Sequence, residues 1–379
     1  MKSNKKGRGL MKKVLFVASV TRHINTFHIP YLKYFKDKGY EVHVASNGEE
    51  NIKYCDKHFN IEFERAPFRK NNLKAYKKLK ELIKNEEYTI IHCHTPVASV
   101  LTRLAARNAR KKGTKVFYTA HGFHFYKGAP IKNWLLYYPI EKYLSKYTDT
   151  LITINEEDFE LAKKKFKTKR IAHTHGVGVD PNRFNFILSD VDKNVIREQF
   201  NVSELDFLMM YTAELNDNKN QQMLIDAMKI LKDKYPTIKL MLVGDGVLRE
   251  KFEKEIKENF LQNNILLLGY RTDIPELLQV ADLYVATSKR EGLPINIIEA
   301  MISGLPLVVT NCRGQRELVE DGKNGYIVEI GDVNALVQKI INIYSDTRIR
   351  DQVVSNAKEN VNDYLLDNVM KEMIEIYDI

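Results

Sequence analysis

Two carboxylates, Glu291 and Glu299, stand eight positions apart in EGLPINIIEAMISG, residues 291–304. Just before them, Leu283–Thr287 (LYVAT) is mostly apolar, with β-branched and aromatic residues, which predicts a short buried strand. Gly292 and Pro294 then break the pattern. Proline at a first helical position has its φ already set and no N–H to lose. The expected order is strand, short loop carrying Glu291, then a helix from about Pro294 with Glu299 on its second turn. A helix start offers free backbone N–H groups and a positive dipole end, which suits a phosphate. A carboxylate on either side of that end can accept hydrogen bonds from hydroxyls. Hydroxyls flanking a diphosphate are the layout of a nucleotide-sugar. Taken singly, each acid is equally well a solvated surface charge.

The elements that must position these groups are legible along the whole chain. Strands are expected at Lys13–Ala18, Glu41–Ala45, Thr89–Cys93, Lys115–Ala120, Thr150–Ile154 and Arg170–Thr174. A second set follows at Phe207–Thr212, Lys239–Gly244, Ile265–Gly269, Leu283–Thr287, Leu307–Thr310 and Tyr326–Glu329. Amphipathic stretches such as Asn72–Lys84 and Gln221–Lys234 lie between them, so the class is α/β with parallel sheets. Six strands and six imply two doubly wound, Rossmann-like domains. Their expected ranges are 11–185 and 186–360, with residues 361–379 holding a final helix, Asp363–Tyr377. Ligands of open α/β sheets collect beyond the carboxyl ends of the strands, which implies one cleft between the domains.

Composition narrows the function. The 379 residues are 44% hydrophobic and 28% charged, enough for two cores. Three cysteines, Cys55, Cys93 and Cys312, are too few and scattered for a disulfide framework and fit a reducing compartment. No apolar run reaches membrane-spanning length. The first ten residues, MKSNKKGRGL, read as a loose basic leader, with Met11 as an alternative start. Net charge is +10, but residues 1–185 carry 37 Lys/Arg against 17 Asp/Glu, which leaves 22 against 32 in the remainder. That asymmetry points the first half toward an anionic partner. Lysines and aromatics mix in KGAPIKNWLLYYPIEKYLSKY, residues 127–147, a pattern that suits a membrane interface or equally a helix packed on its own sheet. No nucleic-acid motif accompanies it.

Further candidates sit at strand ends. His121, in TAHGFHFYK, follows a strand and precedes glycine, a placement suited to an active-site cleft. His92 and His94 share a strand face around Cys93, but no acidic partner and no Asp-x-Asp accompany them, so no metal site is expected. The loop after the first strand, SVTRHINTFHIP, lacks the G-x-G-x-x-G of dinucleotide enzymes. In LMLVGDG a strand ends in Gly244, Asp245 and Gly246, a turn that lets backbone approach a ligand.

EGLPINIIEAMISGLPLVVT, continued by DGKNGYIV, resembles the donor-site signature of retaining glycosyltransferases of the GT-B fold, in the glycogen-synthase-like superfamily called family 4. The segments TFHIPYLKYF and HGFHFYKG look more like its bacterial capsular and exopolysaccharide branch. The resemblance implies two facing domains and a C-terminal helix crossing back to the first. It puts ribose on Glu299, the sugar on Glu291, Gly292 and Leu293, and the diphosphate on the Asn296 and Ile297 amides and Lys219. It sets His121 against the donor sugar, and Gly244, Asp245 and Arg271 beside the nucleobase. His121, Glu291 and Lys219 are then the residues nearest the chemistry. Arg22, His124 and Lys127 fall on the acceptor side. One departure stands out: Glu214 occupies the place where the family usually has arginine, and Arg22 is a candidate replacement.

The activity implied is metal-independent transfer from a UDP-sugar to a polyprenyl-phosphate-linked glycan, with no cofactor beyond the donor. The setting implied is a cytoplasmic protein peripheral to the inner face of an anionic membrane. A sugar-nucleotide epimerase of the same architecture and a silent scaffold subunit of a polysaccharide assembly complex remain as alternatives.

Overall fold

The computed structural model describes residues 11–64, 66 and 69–378, so the basic leader lies outside the described residues. The chain divides into two compact units. One runs to Val177 and resumes at Met370; the other spans Gly178–Val369. These divisions differ from the expected 185/186 and 360/361. Val179 explains the shift: its N–H donates to Tyr364 O at 3.0 Å and its carbonyl accepts from Leu366 N at 2.9 Å. Both ends of the second unit are tied together by that bridge.

The first unit holds a parallel sheet of β1 (Lys13–Val20), β2 (Glu41–Asn47), β3 (Lys57–Asn60), β4 (Ile90–Cys93), β5 (Lys115–Ala120), β6 (Thr150–Thr153) and β7 (Arg170–His173). Its order is β3-β2-β1-β4-β5-β6-β7. The second unit holds β8 (Phe207–Thr212), β9 (Ile238–Val243), β10 (Ile265–Gly269), β11 (Leu283–Ala286), β12 (Leu307–Thr310) and β13 (Tyr326–Val328), in the order β10-β9-β8-β11-β12-β13. The sequence expectation of six strands in the first half misses β3. That strand reads KHFN, lies at the sheet edge and is buried on neither face, so it carries no apolar run to announce it.

The central strands of both sheets are buried throughout their middles, as strands covered by helices on both faces must be. Strand order reverses between β1 and β4, and again between β8 and β11. In open α/β sheets those switch points are where diverging loops leave a crevice. The loops after β1, β4, β8 and β11 therefore position whatever chemistry each unit supports.

The last helix, Leu366–Tyr377, starts later than the expected Asp363 because a 3₁₀ turn, Asn362–Tyr364, precedes it. From Met370 on it belongs to the first unit. Tyr377 OH lies 2.6 Å from His92 Nδ1, while His92 Nε2 lies 2.8 Å from Thr119 Oγ1. His92 is thus a core histidine satisfied at both nitrogens, and burial lowers its pKa to about 3. Glu372 adds a second tie, accepting from Thr174 Oγ1 at 2.9 Å and His175 N at 3.0 Å.

Candidate functional site

In the second unit, the loops after β8 and β11 meet across the switch point. The Lys219 ammonium lies 2.6 Å from Glu291 Oε1. Ser288 Oγ donates to the same oxygen at 2.6 Å and stands 2.8 Å from Tyr211 OH. Asn218 laces the two loops together: its Nδ2 donates to Arg290 O at 3.0 Å and its carbonyl accepts from Lys289 N at 2.8 Å. Lys219 and Glu291 keep 24% and 14% of their side-chain surface, enough to meet a ligand while the pair stays largely desolvated. Electrostatic interactions gain strength under such partial burial.

Gly292 and Leu293 follow on the same loop. Gly314, on the helix Arg313–Leu318, packs so close that a Cβ there would lie 2.7 Å from Gly292 O and 2.9 Å from Glu291 Cβ. Arg313 Nε donates to Glu291 O at 3.2 Å. The carboxylate loop is thereby clamped from behind.

The helix after it runs Ile295–Ile302, with Pro294 at its N-cap rather than its first turn. Asn296 Nδ2 reaches back to Thr212 O on β8 at 2.9 Å. The Ile297 N–H is engaged by Pro294 O at 3.2 Å and Asn296 Oδ1 at 3.1 Å, so it is already occupied within the turn. Glu299 sits one turn further on. Its side chain is only 13% exposed and accepts from Arg183 Nη1 at 3.3 Å. Burial pushes the Glu299 carboxyl above its ordinary value, with Arg183 opposing.

The remaining second-unit candidates fall around the same strand ends. Gly244 has φ +142°, and a Cβ there would sit 2.0 Å from Ala213 O. Only glycine permits that approach of the GDG turn to the loop after β8. Asp245 O accepts from Leu215 N at 3.0 Å. Arg271 is held in a fork by Asp273, at 2.9 and 2.5 Å, with its guanidinium 5.6 Å from the Phe200 ring. Glu214 turns outward: its side chain is exposed, and only its carbonyl is held, by Gln221 Nε2 at 2.9 Å.

In the first unit, His121 stands just after β5, with Nε2 3.4 Å from His94 Nδ1. Two residues the sequence analysis passed over, His23 and His28, join them from the segment after β1. The His92 ring lies 4.1 Å from that of His94, as their shared strand face predicts, but both its nitrogens are committed to Tyr377 and Thr119. Arg22 is exposed on the helix Thr21–Phe27. The His124 ring packs 4.7 Å from Tyr137 rather than in the histidine group. Lys127 is exposed, and its N–H donates to Glu157 at 2.8 Å.

The helix Ile131–Ser145 divides its residues. Trp134, Tyr137 and Tyr138 pack on the core, whereas Ile131, Leu135 and Leu136 are exposed at 76%, 74% and 39% beside exposed Lys132. Among the described residues no helix is long and apolar enough to cross a membrane.

The family described as glycosyl transferases group 1 matches residues 192–360, and the one described as glycosyl transferase 4-like matches residues 13–155. The chain is 44% identical over 369 residues to EpsD of Bacillus subtilis, named as a glycosyltransferase, covering 97% of each chain. It is 28% identical to an Escherichia coli galactosyltransferase named for UDP-Gal and α-D-GlcNAc-diphosphoundecaprenol, covering 81% of this chain and 79% of that one. Among solved structures, Anabaena HepE in complex with UDP and glucose superposes with a TM-score of 0.79 at 22% identity, covering 96% of this chain and 99% of that one.

Proposed function

Because the chain belongs to the group 1 glycosyltransferases, we propose that it moves a sugar from a UDP-linked donor to a lipid-linked glycan, with retention at the anomeric carbon, in capsule or exopolysaccharide assembly. The observation that carries this reading is the Lys219–Glu291 pair, bridging the ends of β8 and β11 at 2.6 Å, with Glu299 buried one helix turn beyond. In the proposed complex Glu299 holds the ribose hydroxyls, and Glu291 with Gly292 and Leu293 holds the sugar. Lys219 and the start of the Ile295–Ile302 helix face the diphosphate. Because the Ile297 amide is already engaged, the helix start acts through its dipole and the Asn296 end rather than through that N–H. Gly244, Asp245 and Arg271 border the base.

The chemistry needs no bridging metal in this reading. The C1–O bond to the diphosphate breaks and the C1–O bond to the acceptor forms on the same face. The acceptor hydroxyl's proton passes to a diphosphate oxygen. Lys219 offsets the charge that develops there. The undecaprenol-linked acceptor named for the Escherichia coli relative supports a lipid-phosphate acceptor.

Thermal shift with UDP, GDP and ADP in EDTA tests the donor class. A nucleotide at about one hundred times its Kd adds about 2.7 kcal/mol. A shift with UDP alone is the expected result; no shift with UDP overturns the assignment. Glu299→Ala is expected to raise the donor KM with kcat little changed. Since burial raises the Glu299 carboxyl above its ordinary value, wild-type donor affinity falls as acid pH passes down through that raised value, and Glu299→Ala loses this step. Equal pH profiles in the two proteins would remove ribose from Glu299.

The exposed Ile131, Leu135 and Leu136, flanked by Lys132 and Lys127, form the proposed contact with an anionic bilayer. Sedimentation with phosphatidylglycerol vesicles should fall sharply in Leu135→Asp. Binding unchanged by that charge would place the membrane contact elsewhere.

A further inference from the structure

Four histidines converge beyond the switch point of the first sheet. His23 lies on the helix Thr21–Phe27 and His28 caps its end, His94 follows β4, and His121 follows β5. One ring nitrogen from each lies within 4.8 Å of all the others. The rings crowd together: His23 stands 5.0 Å from both His28 and His121, His94 stands 5.6 Å from His121, and His28 stacks on His94 at 3.8 Å, centroid to centroid.

Hydrogen bonding separates this group from an ordinary core histidine. His28 and His94 are each 1% exposed. Yet both nitrogens of His28 and the Nε2 of His94 have no hydrogen-bonding partner. A buried polar group left unmade costs about 1–3 kcal/mol. His92, a few ångströms away, shows how this core satisfies a histidine when packing is the whole purpose: it has a hydroxyl at each nitrogen.

We propose that His23, His28, His94 and His121 bind one divalent transition-metal ion, zinc above all. Imidazole donors without carboxylates favour zinc, cobalt, nickel or copper over magnesium or calcium. A zinc–nitrogen bond of about 2.0–2.1 Å in a tetrahedron sets the nitrogens about 3.4 Å apart. His94 Nδ1 and His121 Nε2 are already 3.4 Å apart, so in this geometry His94 ligates through Nδ1 and the unpartnered nitrogens that speak for a ligand are those of His28. Other pairs, at most 4.8 Å apart, close by no more than about 1.4 Å. This inference goes beyond the transferase reading but shares His121 with it. The ion would order the segments after β1, β4 and β5 in the first unit.

The test is cobalt titration of metal-stripped, full-length protein purified without a histidine tag. One equivalent of Co(II) should produce the visible bands of tetrahedral coordination, and one equivalent of Zn(II) should abolish them. His28→Gln and His94→Gln should each weaken binding at least about 100-fold. His58→Gln, whose ring instead meets Ser46 Oγ at 2.9 Å, should bind as wild type. A UDP-induced thermal shift retained in His28→Gln shows that variant folded and its nucleotide site intact. Absence of cobalt bands in the wild type, or bands unchanged in both His28→Gln and His94→Gln, overturns the metal site whatever the nucleotide result.

Discussion

Lys219→Ala is expected to lower kcat/KM for the UDP-sugar donor by about 10- to 150-fold. That range is the roughly 1.5–3 kcal/mol of a hydrogen bond to a charged group, converted to a rate ratio. The ammonium is the cation the geometry sets against the carboxylate of Glu291, at 2.6 Å. Two losses follow its removal. The diphosphate loses a neutralising charge, and Glu291 loses one of the two side chains that hold its Oε1, keeping Ser288. A double-mutant cycle with Glu291→Gln separates them. If Lys219 serves the diphosphate, most of the loss persists in the Glu291→Gln background. UDP affinity measured calorimetrically then falls in parallel. If Lys219 acts only by holding Glu291, the second substitution costs nothing further and UDP binds as before; that outcome would falsify the phosphate role. Lys219→Arg is not expected to rescue fully, because a planar fork replaces a compact point charge at a pair already closed to 2.6 Å.

Glu214 sharpens the same argument. Where the resemblance leads one to expect an arginine, the acid is exposed, and it is its backbone carbonyl that Gln221 holds. On the proposed donor reading, Lys219 would carry the cationic duty of the loop after β8 with less help than the family pattern supplies, and its removal should be felt correspondingly.

Much of this was legible in the sequence because it is local. Buried parallel strands read as short apolar runs, and twelve of the thirteen strands announce themselves that way. Strand β3 does not, since an edge strand of Lys, His, Phe and Asn offers the core only Phe59 and no apolar run. The Glu291–Glu299 spacing is likewise a property of one loop and one helix. What the sequence hid is long-range. The Lys219–Glu291 pair joins residues 72 positions apart. The occupied Ile297 amide depends on whether Pro294 caps the helix or opens it. The histidine group is concealed most fully: His94 and His121 stand at the ends of different strands, and His23 and His28 lie on and at the end of a helix after β1 whose approach to β4 and β5 only the sheet order β2-β1-β4-β5 creates. Adjacency of His92 and His94 in sequence suggested a pair, yet residues two apart on a strand end differ in fate. His92 meets Tyr377 from the chain's last helix, a partner 285 positions away.

Glu141→Ala is expected to destabilise the first unit by about 3–5 kcal/mol, the usual cost of stranding one partner of a buried ion pair. Arg103 lies on the helix Pro96–Lys111 with its side chain 1% exposed. Its guanidinium meets Glu141 in a fork, at 2.8 and 3.0 Å, donates to Ser99 O at 3.1 Å and lies 4.0 Å from the Tyr118 ring centroid. Without Glu141 the cation stays buried, because arginine does not deprotonate in proteins and the surrounding core leaves it no route to water. For a unit of this size the melting temperature should fall by about 10 °C. Trp134, the single tryptophan, packs on the core from the same helix as Glu141, so its fluorescence reports whether that helix loosens. The double substitution Arg103→Met with Glu141→Leu should recover most of the loss, since an apolar pair of similar volume removes the desolvation cost along with the attraction. A Glu141→Ala protein melting within about 2 °C of wild type would mean that water reaches Arg103 and the pair is not buried in solution. A double variant no better than the single one would assign the loss to packing of the Ile131–Ser145 helix rather than to the stranded charge.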